Sequence, residues 1–456
     1  MKAFVFALFT AMISQSGFAA EQNTIESLSL QLFSVQGEEK KHIVDSLVAR
    51  GDRSLIPTLV LAMRLTGDNI HVAKALSALT GETIATWHDA YDWQEQHPEV
   101  VPDPSFRDLK LRFLGNTDRR FLDFFDNPDG SVKPLEIRLE EVHWGGVRLD
   151  EIVPLDAPAM STAAEADYLL DDDLVFGVEI NGDQRAYPLR ILGWHEMLND
   201  VVGGVPVSLA YCTLCGAGIL YEGKTLANEE PFTFGSSGLL YRSNKLMYDR
   251  QTRSLWNQFT GHPVSGELAG SGIRLSVRPM TTTTWYSWRQ QHPNTKVLSL
   301  KTGFNRDYGS GQAYKDYFAS PDLMFPVFVD DESVLQRKDR VFGLLTTGAA
   351  RAWPLSAFAQ QTVINDQIGI NSIVLIGSYE SRTVRAYLKP ADVTFLGTPD
   401  ARGRFYSTDG RAWQLSENSL DSVTDDDRLP RLPGRLAYWF AWNSFHGVRS
   451  TLFSLD

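Results

Sequence analysis

Cysteine is almost absent from this chain, which has two in 456 residues. Any thiol chemistry or disulfide therefore depends on one pair, and a lipid anchor on an N-terminal cysteine is not expected. Positive charge is also scarce: 43 Lys and Arg face 56 Asp and Glu, which gives a formal net charge of -13. Nucleic acids and anionic membranes require a basic face, so we expect neither as the main partner.

Long apolar runs are missing beyond the N-terminus. The apolar stretch at residues 55–65 is shorter than the roughly 20 residues that span a bilayer, and it contains Arg64. At the start of the chain, Met1 and Lys2 precede an apolar stretch and then small residues that end at Ala20. This order predicts a secretory signal peptide over residues 1–19. We therefore expect an exported protein, periplasmic or secreted, without a membrane span.

Helical patterns fill the next segment, residues 20–105. Ile43, Leu47 and Val48 recur at helical spacing, and Gly-Asp turns separate the apolar stretches. Short amphipathic helices joined by such turns pack as antiparallel pairs, similar to the units of HEAT-like modules. We expect this module to dock a protein partner or to act as a spacer. Residues 106–170 are interpreted as a linker that leads into the rest of the chain.

Several short motifs occur twice at a fixed distance. An offset of 166 residues separates Val-Phe-Gly at 175 from the same triplet at 341, Arg-Ala-Tyr-Pro-Leu at 185 from Arg-Ala-Trp-Pro-Leu at 351, and Asn-Asp at 199 from Asn-Asp at 365. A Trp-x-x-Trp-x-x-x-His pattern at 285 returns at 439, at an offset of 154. One register over three motifs indicates a tandem duplication.

Each copy begins with strand signals. In the first copy two predicted strands flank Asn181-Gly182, a strong hairpin signal, and a helix opened by Pro188 is expected to include Leu198. The fold expected from these patterns is α+β, with a small α-helical N-terminal module followed by two tandem-duplicated β-rich lobes related by a pseudo-twofold. The first repeat spans residues 171–330, and the second, degenerate repeat spans residues 331–456.

The two cysteines lie three residues apart, in Tyr-Cys-Thr-Leu-Cys-Gly at residues 211–216. This spacing lets two thiolates hold a soft metal or cycle between dithiol and disulfide. A strand on each side of the pair is typical of a metal knuckle and differs from the helix N-terminus of a thioredoxin site. In the second copy Ser378 and Ser381 occupy the cysteine positions and Gln361 replaces His195. The fold therefore does not require the two thiols or the imidazole, which favours a shared site.

A single knuckle supplies only two metal ligands, so the metal hypothesis needs further residues. Two thiolates with an imidazole or a thioether suit Cu(I) or Zn(II). The predicted ligands are Cys212, Cys215, His195 and Met247, with Glu196 and His262 as the next candidates.

A strip of polar residues surrounds the motif in sequence. Side chains with several donors orient metal ligands or bind a small anionic ligand. The residues assigned to this role are Glu196, Asn199, Asp200, Ser237, Arg242, Asn244, Lys245, Asp249 and Arg250.

Three functions are compatible with these patterns. The leading hypothesis is an exported binding protein for a thiophilic metal, copper or zinc. The second is a periplasmic thiol-disulfide oxidoreductase in which Cys212 attacks and Cys215 resolves. The third is a non-catalytic scaffold whose helical module binds a partner and whose cysteines form a structural disulfide. The sequence contains no phosphate loop and no His-Glu-x-x-His motif, and it leaves open whether the protein is an enzyme.

A set of motifs carries a resemblance to a known family: Trp144-Gly145-Gly146-Val147, the segment at 185–189, His195-Glu196, Asn199-Asp200, the cysteine motif at 211–216, residues 234–238, residues 242–250, and Trp285 with Trp288. This combination resembles a bacterial family known only as domain of unknown function 3179. The resemblance covers residues 139–303 and, more loosely, the second copy, and it departs after Asp339, where the cysteine pair is absent. It implies no activity, and the metal hypothesis comes from the residues alone.

Overall fold

The structure, a computed structural model, describes residues 24–66, 69–224, 230–330 and 334–454. The signal peptide predicted over residues 1–19 lies outside these ranges and stays a prediction. Within the ranges, no helix is both long enough and apolar enough to cross a bilayer. Helices come first and two β-rich lobes follow, which confirms the expected α+β fold class.

Short helices form the N-terminal part. Thr86 and Asp89 form a capping box at the start of one helix, and Gly81, with a φ of 82°, ends the helix before it. The apolar faces of these helices share one core with the first strands of the β-rich part, so the module is packed against that part. The helices are α1 Ile25–Gln31, α2 Gly37–Val48, α3 Ile56–Leu65, α4 Ile70–Thr80, α5 Trp87–Gln96 and α6 Ser105–Thr117, with 3-10 turns at Arg53–Leu55, Arg119–Phe124 and Leu139–Glu141.

The first lobe is built from short antiparallel strands with few helices. Its strands are β1 Val142–Trp144, β2 Leu155–Asp156, β3 Met160–Thr162, β4 Leu174–Ile180, β5 Asp183–Pro188, β6 Met197–Val202, β7 Val205–Cys212, β8 Ala217–Glu222, β9 Phe234–Tyr241, β10 Asn244–Asp249, β11 Leu255–Asn257, β12 Pro263–Ser265, β13 Val277–Arg278, β14 Thr281–Thr284 and β15 Lys296–Leu298. Its helices are α7 Leu189–His195, α8 Trp285–Gln291 and α9 Lys315–Ala319, with a 3-10 turn at Ala163–Glu165.

The second lobe repeats this plan with fewer residues. Its strands are β16 Arg340–Thr346, β17 Ala349–Pro354, β18 Val363–Ile368, β19 Asn371–Ser378, β20 Thr383–Leu388, β21 Arg404–Tyr406, β22 Ala412–Leu415, β23 Ser419–Ser422, β24 Arg428–Leu432, β25 Arg435–Tyr438 and β26 Ser450–Leu452. Its helix is α10 Trp439–His446, with 3-10 turns at Leu355–Ala359 and Gly447–Arg449.

The strands form five sheets. Three belong to the first lobe, in the orders β14-β4-β5-β15-β3, β13-β8-β7-β6-β2 and β1-β9-β10-β11-β12, and the last of these lies against the N-terminal helices. The second lobe has the orders β25-β16-β17-β26 and β18-β19-β20-β24-β23-β22-β21. The parallel pair β5 with β15 returns as β17 with β26, so the two lobes share their topology as well as their motifs.

Equivalent side chains make equivalent contacts in the two lobes. Arg185 Nη1 donates to Asp200 Oδ2 at 2.5 Å, and Arg351 Nε donates to Asp366 Oδ2 at 2.8 Å. Arg351 follows Arg185, and Asp366 follows Asp200, by the same offset of 166 residues that the repeated motifs show. The first bond joins β5 to β6, and the second joins the equivalent strands β17 and β18.

Glycine is required at the same place in both copies. A Cβ added to Gly177 would lie 2.2 Å from the Trp288 ring, and one added to Gly343 would lie 2.0 Å from the Trp442 ring. Each tryptophan ring packs directly against its strand because the glycine leaves room for it. The repeated Val-Phe-Gly triplet therefore supplies the glycine of this packing contact, and the repeated Trp-x-x-Trp pattern supplies the tryptophan.

The lobes also exchange hydrogen bonds reciprocally. The backbone N–H of Tyr438 donates to the carbonyl of Cys215 at 2.8 Å, and that of Thr284 donates to the carbonyl of Ser381 at 3.2 Å. Residues 215 and 381 differ by 166, and residues 284 and 438 differ by 154, as the duplication requires. Each lobe thus caps the central turn of the other, which is the expected pseudo-twofold relation.

One predicted element ends earlier than expected. Helix α7 stops at His195 because Glu196 adopts a left-handed conformation, with a φ of 56°. Met197 and Leu198, which the pattern assigns to the helix, lie in β6 and pair with β7. Two consecutive apolar residues are compatible with the buried face of a helix and with a buried strand, so their spacing alone does not distinguish helix from strand.

Candidate functional site

The cysteines lie at the tip of a tight hairpin. Strands β7 and β8 pair up to Cys212 and Ala217, and the turn between them contains Thr213, Leu214 and Cys215. The turn closes with a bond from the backbone N–H of Gly216 to the Thr213 carbonyl, at 3.2 Å. The strand-turn-strand arrangement predicted for the motif is therefore present.

Glycine is needed at the end of the turn. Gly216 has a φ of 58°, and an added Cβ would lie 3.1 Å from the ring of Tyr438, which covers the turn from the second lobe. A side chain at this position would be strained in conformation and would press on the ring. The glycine that follows the second cysteine therefore lets the two lobes approach each other.

The two thiols are free, buried and close together. Cys212 is 1% exposed, Cys215 is not exposed, and their Sγ atoms lie 2.8 Å apart. A disulfide bond is about 2.05 Å long, so oxidation of the pair requires the sulfurs to move by less than about 1 Å. The hairpin therefore holds two thiols ready to form a disulfide.

The surroundings make the two thiols unequal. Burial alone raises the pKa of Cys212, but hydrogen bonds from the Cys215 thiol and from the backbone N–H groups of Lys245 and Cys215 lower this pKa below its usual range. Burial raises the pKa of Cys215 strongly, and its hydrogen bond to Cys212 and the charge of Cys212 raise it further. Cys212 is therefore the sulfur of the pair that ionises first.

A second hairpin lies over Cys215. Arg242 and Ser243, between β9 and β10, have φ values of 50° and 55°, which is the conformation of a two-residue type I′ turn. This turn brings the Ser243 carbonyl to 3.6 Å from Cys215 Sγ and Asn244 Nδ2 to 3.2 Å from the same sulfur. Asn244 is held in turn by Gln258 Oε1, at 2.8 Å. The environment of the Cys215 thiol is therefore fixed by side chains that are themselves bonded.

A buried ion pair lies beside Cys212. Lys245 Nζ is 3.0 Å from Glu196 Oε2, and both residues are at least nine-tenths buried. The other carboxylate oxygen of Glu196 accepts from Thr213 Oγ1 at 2.8 Å and from the Tyr314 hydroxyl at 3.1 Å. The left-handed backbone at Glu196, which ends α7, directs the carboxylate to this place. The pair brings one positive and one negative charge to the turn, and the Glu196 charge acts to raise the pKa of Cys212.

A small cleft leads to Cys212. It has a volume of about 40 Å³ and is lined by Cys212, Glu196, Lys245, Ser236 and, at its apolar side, Phe325. This is room for about three water molecules. Cys215 lies behind Cys212 and contributes no surface to the part of the cleft that the structure describes. A reagent that enters the cleft therefore meets Cys212 first.

His195, the first predicted metal ligand after the thiols, has other partners. Its Nδ1 donates to the Val153 carbonyl at 2.7 Å, and its Nε2 is 2.6 Å from the Tyr308 hydroxyl. Burial lowers the pKa of His195, so the ring is neutral and Nε2 accepts from the tyrosine. Across the described ranges there is no group of three or more His, Cys, Asp and Glu side chains that could hold a metal ion. The structure does not bring His195 to the thiols.

The other predicted ligands also have separate surroundings. Met247 is fully buried in a core with Phe234 and Trp256, whereas the two cysteines belong to the core between the lobes. His262 is part of the turn in which its carbonyl accepts from the Asn257 N–H at 2.9 Å. In the described part of the chain, neither side chain lines the cleft at Cys212.

The predicted polar strip divides into two groups. Glu196, Asn244 and Lys245 surround the thiols, as described above. The remaining six make bonds within the scaffold: Asn199 to the backbone of Phe234, Asp200 to Arg185 and Tyr187, Ser237 to the Leu246 carbonyl, Arg242 to Glu141, Asp249 to Trp256 and Thr252, and Arg250 to Asp156.

Three tyrosines at the site were not found from the sequence. Tyr314 reaches Glu196, the Tyr317 hydroxyl donates to the Leu214 carbonyl at 2.7 Å, and Tyr438 covers Gly216. They come from segments more than 90 residues beyond the motif. The only sequence signal for any of them is the position of Tyr438, immediately before the second Trp-x-x-Trp pattern.

Comparison with known proteins gives one match. A family model with the description "Protein of unknown function (DUF3179)" matches residues 149–448, which is more than half of the chain and includes both lobes. No curated protein and no solved structure matches the chain.

Proposed function

Since the chain belongs to the DUF3179 family, whose description gives no activity, we propose a function from its own geometry: thiol-disulfide oxidoreduction by Cys212 and Cys215. The observation that carries the proposal is the unequal pair, with the more readily ionised sulfur at the cleft and the second sulfur 2.8 Å behind it. Thiol-disulfide exchange needs an attacking thiolate and a resolving thiol within bonding reach. A merely structural pair of buried cysteines would not need a lowered pKa at either sulfur.

In the proposed reaction the Cys212 thiolate attacks one sulfur of a substrate disulfide. A mixed disulfide forms, and the other substrate sulfur leaves as a thiolate that takes a proton from solvent. Cys215 then attacks Cys212 Sγ, and the first substrate sulfur leaves with the proton that Cys215 gives up. The substrate disulfide is reduced by two electrons, and the pair is oxidised to a disulfide. The reverse sequence oxidises a substrate dithiol.

Binding of copper or zinc is the second proposal. Two thiols that converge within 2.8 Å offer soft ligands, which Cu(I) and Zn(II) prefer. A structural zinc site takes four protein ligands, and the described residues hold no group of three. This favours the redox proposal over zinc, while Cu(I) remains compatible with two thiolates.

The test uses the purified full chain, reduced and then exposed to oxidised glutathione. We expect Cys215→Ser to accumulate a mixed disulfide with glutathione at Cys212, because the resolving thiol is gone. Cys212→Ser should accumulate little, since Cys215 is shielded from the cleft and its pKa is raised. Intact-protein mass spectrometry after acid quenching measures the adduct.

Ser381→Ala is the matched control, because it changes the equivalent position of the degenerate turn and should exchange like the wild type. Equal adduct formation in both cysteine variants contradicts the assigned roles. A wild-type pair that glutathione neither oxidises nor reduces contradicts the redox proposal. Stoichiometric copper or zinc in the protein as purified, lost on Cys212→Ser, supports the metal proposal in its place.

A further inference from the structure

The degenerate turn of the second lobe borders a much larger cleft. The cleft has a volume of about 820 Å³, against about 40 Å³ at Cys212. Two of its lining residues, Thr362 and Ser378, are the equivalents of Glu196 and Cys212 at the offset of 166 residues. The large cleft is therefore the counterpart of the cysteine cleft in the duplicated fold.

The difference in size has a structural reason. In the first lobe the ring of Tyr438 covers the turn at Gly216. In the second lobe the equivalent of Tyr438 is Thr284, which makes the same backbone bond to the turn but has a small side chain. Thr284 lines the cleft, and no ring from this position closes it. A volume of this size suits a small-molecule ligand, because such sites typically measure about 300–1,000 Å³.

The floor of the cleft contains buried polar groups with unused bonding capacity. Arg385 donates through Nε and Nη2 to Glu417, with Nη2 at 2.5 Å, and through Nη2 to Gln291 Oε1 at 3.3 Å. Among the described residues its Nη1 has no hydrogen-bond acceptor, so it is available to a ligand. His292 is 8% exposed, and its Nδ1 has no hydrogen bond among the described residues, since the nearest carboxylate oxygen, on Glu179, is 4.0 Å away. An unpaired buried nitrogen costs free energy unless a ligand or water bonds to it.

The carboxylate at the floor is shared by two arginines, so one positive charge is in excess there. Glu417 lies between Arg385 and Arg431, each at 2.5 Å, and these two arginines hold the pKa of Glu417 well below its usual range although burial opposes this. At the rim Asp171 is paired with Arg289 at 2.9 Å. The lining also includes the carboxylates of Asp171, Asp172 and Glu380, which offset this excess charge. The cleft as a whole therefore does not favour an anion, and Arg385 offers N–H groups to a ligand.

The walls present groups that both donate and accept. Serine and threonine hydroxyls and glutamine amides make up much of the lining, and the rings of Tyr286 and Phe405 add apolar surface. Hydroxyl groups of a ligand are themselves both donors and acceptors, so they match such walls. From this chemistry we propose that the cleft binds a neutral saccharide of one to three units, with hydroxyls bonded to Arg385 and to the hydroxyl and amide groups of the walls, and with a sugar face against Tyr286.

The first test is an array of neutral and acidic oligosaccharides probed with the labelled full chain. We expect binding to neutral glycans and none to their acidic counterparts. Calorimetry with the best neutral glycan then compares variants. Tyr286→Ala should weaken binding by about fivefold to tenfold, as expected for the loss of one aromatic contact. Tyr379→Ala is the matched control, because Tyr379 is 51% exposed, close to the 52% of Tyr286, but does not line the cleft.

Thr284→Tyr is the decisive variant. It places a tyrosine ring at the position equivalent to Tyr438, whose ring covers the turn of the first lobe. It should abolish glycan binding and leave the reactivity of the cysteine pair unchanged, which also reports that the variant is folded. Absence of binding to every neutral glycan on the array overturns the proposal. Preferred binding of acidic glycans, or of a zwitterionic dipeptide tested in parallel, overturns the ligand class. Unchanged affinity in folded Thr284→Tyr overturns the location.

Discussion

The hydrogen bond between the two thiols can be measured as a shift in the titration of Cys212. The perturbation is the replacement of Cys215 by alanine, which removes the donor that Cys212 accepts from. Because the chain has only two cysteines, the variant contains a single thiol and its titration has one component. The matched variant is Cys215→Ser, in which a hydroxyl keeps a donor at nearly the same place.

The magnitude follows from the value of a hydrogen bond to a charged acceptor. Such a bond contributes about 1.5–3 kcal/mol, and a change of one pH unit in a pKa corresponds to about 1.4 kcal/mol. Loss of the bond should therefore raise the pKa of Cys212 by about 1–2 pH units in Cys215→Ala. The backbone N–H groups of Lys245 and residue 215 remain in both variants, so the pKa in Cys215→Ser should lie between those of Cys215→Ala and the wild type.

The assay is the ultraviolet absorbance of the thiolate as a function of pH, with the denatured variant as the reference for an unperturbed thiol. The sign is defined: burial without the donor favours the neutral thiol, so the midpoint must move to higher pH. An unchanged or lower midpoint in Cys215→Ala refutes the reasoning. An equal rise in Cys215→Ala and Cys215→Ser shows that packing, and not the donated hydrogen bond, sets the pKa.

Two further predictions concern stability. The pKa of Lys110 is lowered to about 7, chiefly by burial and also by the charge of Arg64. The folded state therefore disfavours the charged form of this side chain. The cost to the free energy of folding is about 5 kcal/mol; it is complete below about pH 7 and disappears above about pH 10.5. Urea unfolding should show Lys110→Met to be several kcal/mol more stable than the wild type at pH 6 and to lose this advantage at pH 11; an advantage independent of pH contradicts the assignment. Gly216→Ala should lose about 2–3 kcal/mol, because it combines a left-handed backbone with contact to Tyr438, whereas Gly204→Ala, with a φ of 84° and open space around it, should lose about 1 kcal/mol. Equal losses in the two glycine variants would show that the Tyr438 ring yields without cost.

The sequence predicts the duplication well, because the repeated motifs are the two sides of local packing contacts. Glycine at 177 and tryptophan at 288 must change together, since the ring occupies the space that a Cβ would fill. The same constraint acts on the second copy, so the motifs keep their register there. The hairpin around the cysteines was predictable for a similar reason, since strand patterns and a glycine in the left-handed region are local signals.

The surroundings of the thiols were harder to predict from the sequence. Proximity in sequence suggests His195 as a partner of the cysteines, but the helix that carries it ends at this residue, and Glu196 turns the chain into β6. The carboxylate, one residue further on, is the group that reaches the turn. Tyr438 reaches the turn through the packing of the lobes, and Tyr317 comes from a distant helix of the same lobe; no short-range pattern encodes either contact. The sequence did not indicate the cleft at Ser378, because the cleft is open only where Thr284 stands in place of a ring equivalent to that of Tyr438.

The reciprocal bonds between the lobes explain why a copy without cysteines persists. The Cys215 carbonyl is capped by the backbone of Tyr438, and the core around the thiols includes Val341 and Trp439 from the second lobe. Deleting the second copy would therefore expose the turn that the first copy needs. The second lobe can do without thiols of its own but not without its scaffold, because the first lobe depends on that scaffold to cover its cysteine turn.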